Sequence, residues 1–351
     1  VDEEGRFITD DKGKTVYEDV PNEKYVPGSK PMSFYDTSKA LTRLKKENVD
    51  EEGHKWLYDA DATALVYALR HLDSAYQNFF RRMKQGGNPG FPRFKSRNNS
   101  RQSFTVADCK IGENYVVLAK IGKVKARIHR EVEGTIVSAS ISRNAAHQYF
   151  ISINVKEAEI PSLPAKDNEV GITMGLKKWV TTSDGEVFER PDTEKLRKKL
   201  AREQRKLSRK VGAGKGEIPS NNYEKQKLKV ARLQNRIANI RSNATHDLTR
   251  EIVDSYGMIA TRDMGAAELV KQDSKATKDL PRKVKRSMNR ATADANFAEI
   301  NRQLAYKALW GGRTFVEVPK DTPTAQVCAA CGHKNVVLAQ DLRSEWTCPE
   351  C

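Results

Sequence analysis

The predicted fold rests first on residues 170–188, VGITMGLKKWVTTSDGEVF. Apolar runs at 170–173 and 179–182 have the length of strands. Ser183-Asp184-Gly185 is a turn sequence, and we interpret it as the turn of a hairpin that is followed by a further short strand at 186–188. The stretch therefore predicts the opening strands of a sheet.

Two long basic helices are predicted directly after this sheet sequence. They cover about 192–211 and 222–255 and are separated by Gly212-Ala213-Gly214-Lys215-Gly216. In the second helix, apolar residues recur at helical spacing while the bases fall elsewhere, so one side packs and the other presents charge. The packing side consists of Val230, Leu233, Ile237, Ile240 and Ala244.

The segments that follow complete an α/β unit. One strand is predicted at 258–261 and another at 314–318. Between them we predict a basic loop at 271–290, which holds eight bases and two acids, and a helix at about 291–310. These elements define a domain over residues 165–320.

The pattern upstream of the sheet sequence is different. Ser33 and Asp36 are candidate caps of a first helix, and a second helix is predicted from about Asp61 to Lys84. Its apolar stripe is most simply explained by core packing. Beyond a glycine-rich loop, alternating segments predict five short strands of a small antiparallel barrel, at 103–106, 115–118, 123–128, 134–142 and 149–155.

Together these elements predict a multidomain α+β protein. Residues 1–98 form a helical part with an irregular N-terminal extension, and residues 99–164 form the small antiparallel β-barrel. The α/β domain at 165–320 follows, and residues 321–351 carry a cysteine motif. Because residue 1 is Val and the chain ends on Cys351, we expect the sequence to be part of a longer polypeptide.

The charge of the chain favours nucleic acid as a partner. The 351 residues include 62 Lys and Arg against 46 Asp and Glu, a net charge of +16. Residues 195–241 alone hold 16 bases and 3 acids, more than solubility requires. A solvated helical face is the alternative explanation. No apolar run approaches the ~18 residues of a membrane span and no signal peptide is visible, so we expect no membrane partner and a cytoplasmic location.

The cysteines predict a structural zinc site. Cys328-Ala-Ala-Cys331 and Cys348-Pro-Glu-Cys351 form a CxxC-x16-CxxC pattern, which offers four thiolates and leaves no position open for a reactive water. Disulfides or free thiols are the alternative, but they do not suit a reducing compartment. His333 is not needed as a ligand beside four cysteines, and Cys109 is interpreted as a small apolar residue.

Several motifs occur together in the order found in one protein family. The block 170–179, the turn 183–185 and the segment 302–313, RQLAYKALWGGR, resemble a RuvC-type nuclease domain. With the ribbon sequence 345–351, EWTCPEC, and the segment 91–95, FPRFK, they resemble TnpB, the transposon-encoded RNA-guided nuclease related to type V CRISPR effectors. The resemblance runs from about residue 33 to the end of the chain.

This resemblance implies a role for each predicted part. The first helices correspond to a recognition lobe, the short strands to a wedge barrel, and residues 165–320 to a RuvC-like, RNase H-like α/β domain followed by the zinc ribbon. The partners that it implies are a guide RNA and double-stranded target DNA, with one copy of the protein per guide RNA. Base pairing would read the sequence, while the protein reads a short flanking motif.

Two positions depart from the family pattern. Where the family's first strand reads VGIDLG with a metal-binding Asp, this chain has Thr173. Where a later strand reads IxxEDL with a metal-binding Glu, this chain has Arg262. The family's third acid lies beyond the ribbon, outside this sequence. Two-metal cleavage needs clustered carboxylates, so the resemblance implies no catalytic residues, no catalytic Mg²⁺ and no nuclease activity.

This combination resembles TldR, the nuclease-dead TnpB-like proteins that repress transcription by occupying DNA. The flanking motif would be read from the first helices, at Phe34, Tyr35, Ser38 and Thr63. The basic residues are candidates for phosphate contacts with RNA or with the heteroduplex. They are Arg197, Arg202, Arg205, Lys206, Arg209, Lys225, Lys229, Arg232, Arg236, Lys283, Lys285 and Arg286.

Two other functions remain open from the sequence. The first is an active RNA-guided endonuclease whose metal site has been rearranged. The second is a zinc-ribbon RNA-binding protein that has no DNA target. The sequence specifies neither the guide, the target gene nor the flanking motif.

Overall fold

The computed structural model of the chain describes residues 33–86, 90–93, 95–96, 101–158, 160, 162–210, 220–263, 281–319, 322, 327–328, 330–334 and 347–351. The irregular extension predicted at the N-terminus lies outside the described residues. The chain divides into two compact units. The first contains the residues up to Ser142 together with Phe150–Lys156, and the second contains Arg143–Tyr149 and Glu157–Cys351.

The first unit begins with two helices, α1 (Phe34–Glu47) and α2 (Ala62–Lys84), separated by a 3₁₀ turn at Trp56–Tyr58. Ser33 and Asp36 cap α1 reciprocally. The Ser33 hydroxyl accepts the Asp36 N–H at 3.3 Å, and the Asp36 carboxylate accepts the Ser33 N–H at 3.0 Å. Asp61 caps α2 by accepting the Ala64 N–H at 2.9 Å. The predicted starts of both helices are confirmed.

The strands of the first unit form two sheets. They are β1 (Gln102–Val106), β2 (Cys109–Gly112), β3 (Tyr115–Leu118), β4 (Gly122–Lys125), β5 (Thr135–Arg143) and β6 (Tyr149–Lys156). Their orders are β1-β5-β6 and β2-β3-β4. Side chains from both sheets share one core, formed by Val106, Cys109, Val116, Leu118 and Ala139.

The prediction of five strands in a single barrel was therefore wrong, because the residues that the structure describes in the first unit form six strands in two three-stranded sheets. Strand β2 was missed because its sequence, CKIG, has no run of apolar residues. Gly112 at its end lies opposite Tyr115 in the antiparallel pair. A Cβ at Gly112 would lie 2.4 Å from the Tyr115 ring, so the ring covers this glycine and requires it.

The second unit is built on a five-stranded sheet. Its strands are β7 (Glu169–Met174), β8 (Val180–Thr182), β9 (Val187–Phe188), β10 (Met258–Arg262) and β11 (Thr314–Val318), in the order β11-β10-β7-β8-β9. β7, β8 and β9 pair antiparallel, whereas β10 is parallel to both β7 and β11. The predicted strands are confirmed. The turn at 183–185 was predicted for the hairpin of the first two strands, but it joins β8 to β9, and residues 175–179 join β7 to β8.

In the part of this unit that the structure describes, four helices accompany the sheet: α3 (Glu194–Arg209), α4 (Asn221–Ser255), α5 (Arg282–Ala295) and α6 (Phe297–Gly311). The predicted loop at 271–290 was wrong from Arg282 onward, because the basic residues after Pro281 lie on α5. The predicted helix at 291–310 is divided by Asn296, which has a φ of 60°. Among the helices of the described residues, none combines the length and the apolar character that crossing a membrane requires.

The inner face of the sheet packs against α4 and α6. Val170, Ile172 and Met174 alternate with exposed residues along β7 and form the core with Ile259 of β10. The helices contribute Leu248, Ile252, Val253, Phe297, Ile300 and Leu304. Trp179 is buried in this core, and its indole N–H donates to the carbonyl of Ala295 at 2.8 Å. The core therefore joins the sheet to the junction between α5 and α6.

Arg313 connects three segments from a buried position just after α6. Its guanidinium donates to the carbonyl of Val253, near the end of α4, at 3.2 Å and to the carbonyl of Pro164 at 2.6 Å. The backbone N–H of Arg313 donates to the carbonyl of Ala308 at 2.8 Å. Val253 is buried, so its carbonyl needs this donor, whereas Pro164 is an exposed residue that the same guanidinium links to α4.

We expect Arg313→Met to lower the free energy of unfolding of the second unit by about 1–3 kcal/mol, because it leaves the carbonyl of the buried Val253 without its guanidinium donor. Arg250→Met is the matched control, since the Arg250 side chain is 79% exposed and contacts Asp254, four residues along α4. Urea unfolding followed by tryptophan fluorescence measures both variants. Equal midpoints for the two variants would contradict a structural role for Arg313.

Candidate functional site

Two residues lie side by side at the carboxyl-terminal ends of β7 and β10, two neighbouring strands inside the five-stranded sheet. This end of the two strands is called the edge of the sheet below. β10 is parallel to β7, and Thr261 lies opposite Ile172. The next residues along these strands are Arg262 and Thr173, so they are level with each other at the carboxyl ends of adjacent strands, roughly 5 Å apart. Thr173 is exposed and Arg262 is half-buried, whereas Ile172 and Thr261 are buried. The alternation of the strands places Thr173 and Arg262 together on the outer face.

The structure thus brings together the two positions at which the sequence departs from the TnpB pattern. Within the described residues, only one group of three or more His, Cys, Asp or Glu side chains lies close enough to hold a metal ion, and it is not at this edge. At these positions the two neighbouring strands carry a hydroxyl and a guanidinium. Both can donate hydrogen bonds, and the guanidinium cannot bind a cation.

The metal-binding group consists of Cys328, Cys331, Cys348 and Cys351, whose sulfurs all lie within 4.8 Å of one another. The Sγ atoms of Cys328 and Cys351 are 3.5 Å apart, and those of Cys331 and Cys348 are 3.6 Å apart. A tetrahedral zinc with bonds of about 2.3 Å requires sulfurs about 3.8 Å apart, whereas a disulfide requires about 2.05 Å. The four cysteines therefore fit a zinc ion and are not disulfide-bonded.

The backbone around Cys328 prepares it as a thiolate. The backbone N–H groups of Cys331 and Ala330 point at its sulfur and lower its pKa to about 6. The turn is closed by two backbone hydrogen bonds, from Gly332 to Cys328 and from Cys328 to His333, each of 2.9 Å. Gly332 adopts a φ of 74°, which favours glycine. This geometry is that of a metal-binding knuckle formed by the first cysteine pair.

The two other residues considered with the cysteines take the predicted places. His333 lies outside the group of four sulfurs, and its Nδ1 is 3.8 Å from the carboxylate of Glu350. Cys109 is buried in the core of the first unit, and burial raises the pKa of its thiol. Cys109 is thus a packing residue.

The basic helices α3 and α4 pack against each other and expose their charged sides. The amide of Gln226 on α4 donates to the carboxylate of Glu203 on α3 at 2.7 Å. The exposed bases recur at spacings of three and four residues, which places them on one side of each helix. On α3 they are Arg202, Arg205 and Arg209, and on α4 they are Lys225, Lys229, Arg232 and Arg236.

Two of the predicted phosphate contacts are engaged inside the protein. The Arg197 guanidinium contacts the Asp294 carboxylate of α5 at 2.5 Å, and Arg241 of α4 contacts the same carboxylate at 3.5 Å. Lys206 donates to Glu203 at 2.8 Å, and this bond, together with that from Gln226, lowers the pKa of Glu203 to about 2. Arg197 therefore joins α3 to α5, whereas Lys206 bonds within α3 to the acid that Gln226 of α4 also contacts.

Of the three predicted contacts between 282 and 290, Arg286 is exposed on α5 and Lys285 is half-buried. The side chain of Lys283 lies outside the described residues.

Sequence reasoning missed Asp294, which joins α3, α4 and α5. Nothing in the spacing of the chain indicates this acid, because its two partners are more than fifty residues away.

The residues predicted to read a flanking motif differ in their availability. Tyr35 is 75% exposed, and Ser38 is half-buried. The guanidinium of Arg70 lies over the ring of Phe34, 5.4 Å from its centroid. The Thr63 hydroxyl donates to Asp61 and accepts the Ala107 N–H at 3.0 Å. Thr63 thus attaches α2 to the end of β1, and its hydroxyl is engaged within the protein.

Comparison with known proteins places the chain in a family. It is 35% identical over 318 residues to a protein of Escherichia coli strain K12 provisionally named RNA-guided DNA endonuclease InsQ, covering 89% of this chain and 75% of that one. A protein of Streptomyces pristinaespiralis with the provisional name RNA-guided DNA endonuclease is 32% identical, covering 90% and 73%. Residues 152–273 match the OrfB_IS605 family, described as a probable transposase. The chain belongs to the TnpB family.

A second family match covers the other end of this TnpB-family chain. Residues 297–351 match the Cas12f1-like TNB domain, a segment that contains α6, β11 and all four clustered cysteines. The chain also aligns with a solved structure titled "Cryo-EM structure of the Cas12f1-sgRNA-target DNA complex". It does so with a TM-score of 0.44 and 12% identity, covering 91% of this chain and 77% of that one.

For the cysteine group of this TnpB-family protein, we expect one zinc ion per chain. Cys348→Ser should lower the zinc content and the melting temperature, because it removes one of four thiolates. Cys109→Ala is the control, since Cys109 lies in another core, and its zinc content should stay at one per chain. Elemental analysis of the purified proteins measures both. Unchanged zinc in Cys348→Ser would contradict the assignment of the ligands.

For the basic side of α3, we expect Arg205→Gln with Arg209→Gln to reduce the slope of log affinity against log salt by about 1.4 for single-stranded RNA. Each phosphate contact to a single strand contributes ~0.7 to that slope. The control is Arg43→Gln with Arg250→Gln, which removes the same charge from bases that are paired with an acid on their own helix. Equal slopes for the two double variants would show that α3 does not contact the RNA.

Proposed function

We propose that this protein binds double-stranded DNA under the guidance of an RNA, leaves the DNA uncut and represses transcription by occupying it. The observation that carries the absence of cleavage is the pair formed by Thr173 and Arg262 at the edge of the sheet. RNA-guided DNA binding is supported by the family of the chain and by the names of its relatives.

The electrostatics of the pair argue against a catalytic metal. The TnpB pattern has an Asp and a Glu at these two positions, with a combined charge of −2, whereas Thr173 and Arg262 carry +1. A guanidinium 4 Å from a divalent cation raises its energy by about 8 kcal/mol even at an effective dielectric of 20. Binding of Mg²⁺ beside Arg262 is therefore strongly disfavoured, and phosphodiester cleavage by two metals requires it.

The topology of the second unit supports a RuvC-like domain that keeps its fold without its acids. Numbered in chain order, its strands are arranged 3-2-1-4-5, with the first three antiparallel and the last two parallel to the first. That arrangement is the RNase H-like one, with the catalytic edge where strands 1 and 4 meet. Thr173 and Arg262 lie on those two strands.

The remaining parts take roles that follow from the same family. We assign α1 and α2 to the recognition lobe and the two small sheets to the wedge. The basic sides of α3 and α4 would contact the RNA or the heteroduplex. The zinc ion held by the four cysteines would be structural, because all its positions are taken by sulfur.

The experiment begins with the RNA. The protein is expressed with the DNA that flanks its gene, purified, and the RNA that accompanies it is sequenced. We expect one defined RNA whose 3′ end matches a promoter. Heterogeneous RNA would contradict guidance, and a defined RNA without a genomic match would favour the RNA-binding protein without a DNA target.

The complex with that RNA is then tested for cleavage. We expect it to bind matched DNA and to leave both strands intact at any Mg²⁺ concentration. Thr173→Asp with Arg262→Glu should gain Mg²⁺ binding, measured by calorimetry, because it restores two carboxylates on adjacent strands. Thr314→Asp with Arg250→Glu changes the charge equally, but places the new Asp at the other end of the sheet and should gain no Mg²⁺ binding. Mg²⁺-dependent cuts by the unchanged protein would establish an active nuclease instead.

A further inference from the structure

We infer that a cavity between the segment 189–194 and helices α3, α4 and α5 binds one unpaired ribonucleotide of the RNA, with its phosphate on arginines and its ribose on a carboxylate. The inference rests on the proposed function only in taking RNA as a partner, and it holds whether or not the DNA is cut. It adds to the basic sides of α3 and α4 a site that recognises a single nucleotide.

The cavity lies within the second unit and has a volume of about 410 Å³. Ligand pockets in proteins measure roughly 300–1,000 Å³, so this one suits a single small ligand. A sphere of this volume is about 9 Å across, narrower than the ~12 Å of the major groove of DNA alone, so a double helix cannot enter. The lining includes the half-buried Pro191, Ile237 and Ala291, which offer an apolar surface to one face of a sugar or base.

An ion-pair group with excess positive charge lines one part of the cavity. The Asp294 carboxylate contacts Arg197 at 2.5 Å and Arg241 at 3.5 Å, so two guanidinium groups share one acid. Arg197 also donates to the Thr193 hydroxyl at 2.9 Å, and Arg241 donates to the Ala293 carbonyl at 3.3 Å. The two arginines and the acid are half-buried. Their net charge of +1 is the charge that one phosphodiester neutralises.

The same part of the cavity has hydrogen-bond donors for an anion. A guanidinium carries five N–H groups, more than the contacts of Arg197 and Arg241 use. Arg290 of α5 and Lys177 of the turn between β7 and β8 also line the cavity, and both are exposed. Arginine and phosphate form some of the stronger hydrogen-bonded contacts in proteins. The cationic part can therefore hold one phosphate of an RNA strand.

Carboxylates line the cavity as well, and they limit the ligand that it accepts. Glu189, Asp192 and Glu194 belong to the segment that leads from β9 into α3, and all three are exposed. Asp192 accepts the backbone N–H of Glu194 at 2.8 Å, and the Glu194 carboxylate contacts Lys198 at 2.6 Å. Among the described side chains, Glu189 is the one of these three acids without such a contact. It is therefore the best placed of the three to accept a hydrogen bond from a ligand.

A ligand that satisfies both parts of the cavity carries one negative charge together with hydroxyl or N–H donors. Three acids would repel a ligand with several phosphates. The ribose 2′-hydroxyl can donate to a carboxylate, and it is the group by which proteins distinguish RNA from DNA. Acidic residues bind ribose hydroxyls in the same way in dinucleotide-binding folds. The cavity thus matches one ribonucleotide of an unpaired strand, whose sugar and base are accessible.

The ribose contact is tested on the full chain purified free of nucleic acid, with a short single-stranded RNA and the DNA of the same sequence as probes. We expect Glu189→Ala to weaken RNA binding about fivefold, the effect of one net hydrogen bond, without weakening DNA binding. Loss of an acid that only repels phosphates would instead strengthen binding of both strands. Glu186→Ala is the matched control, because Glu186 is an exposed acid of the neighbouring turn and is not among the residues that line the cavity.

The phosphate contact is tested through the salt dependence of RNA binding. We expect Arg290→Gln to reduce the slope of log affinity against log salt by about 0.7, the value for one phosphate of a single strand. Arg250→Gln removes the same charge from an arginine that is paired with Asp254 on α4, and it should leave the slope unchanged. Melting temperatures should be equal for all four variants, because each changed side chain is exposed.

The outcomes separate this inference from the proposed function. If the chain binds RNA, and Glu189→Ala and Arg290→Gln keep its affinity, slope and preference for RNA, the site is refuted and guided binding stands. If Glu189→Ala strengthens binding as Glu186→Ala does, the assignment of the ribose is wrong. A lower melting temperature with an unchanged slope would make Arg290 a structural residue and refute the phosphate contact. If the unchanged chain fails to bind RNA, both proposals fall.

Discussion

The parallel pairing of β10 with β7 is the constraint on which the second unit depends. Parallel neighbours cannot be joined by a tight turn, so the chain must leave the sheet after β9 and return to the start of β10. It does so through α3 and α4, and α4 alone has 35 residues, about 52 Å in length. The length of this crossover exceeds what is needed to cover the sheet. The part of the crossover that extends beyond the sheet can therefore carry residues with another role.

Helix α4 combines two tasks along its length. Its C-terminal half contributes Leu248, Ile252 and Val253 to the core under the sheet. Its N-terminal half pairs with α3 and exposes bases from Lys225 to Arg236. Because one rigid helix carries both halves, the basic surface is fixed relative to β10 and to Arg262 at its end. Asp294 strengthens this connection, since its carboxylate holds Arg197 of α3 and Arg241 of α4 against α5.

The sequence was informative where a local pattern has one physical meaning. The spacing of the cysteines, the caps at Ser33 and Asp61, and the apolar runs at 170–173 and 258–261 each led to a feature that the structure contains. The sequence was uninformative where a feature depends on residues far away along the chain, or where one stretch fits two kinds of structure. Strand β2 depends on pairing with β3, and the basic residues after Pro281 fit a loop as well as a helix. The ion pair of Arg197 with Asp294 joins residues almost a hundred positions apart.

The same reasoning explains why the edge of the sheet can change its chemistry without changing the fold. Thr173 is exposed and Arg262 is half-buried on the outer face, whereas Ile172 and Thr261 beside them are buried in the core of the sheet. The carboxylates expected from the family would repel each other in the absence of a metal ion, and their replacement by Thr and Arg removes that repulsion. A hydroxyl and a guanidinium at these two positions need no bound cation to offset such repulsion.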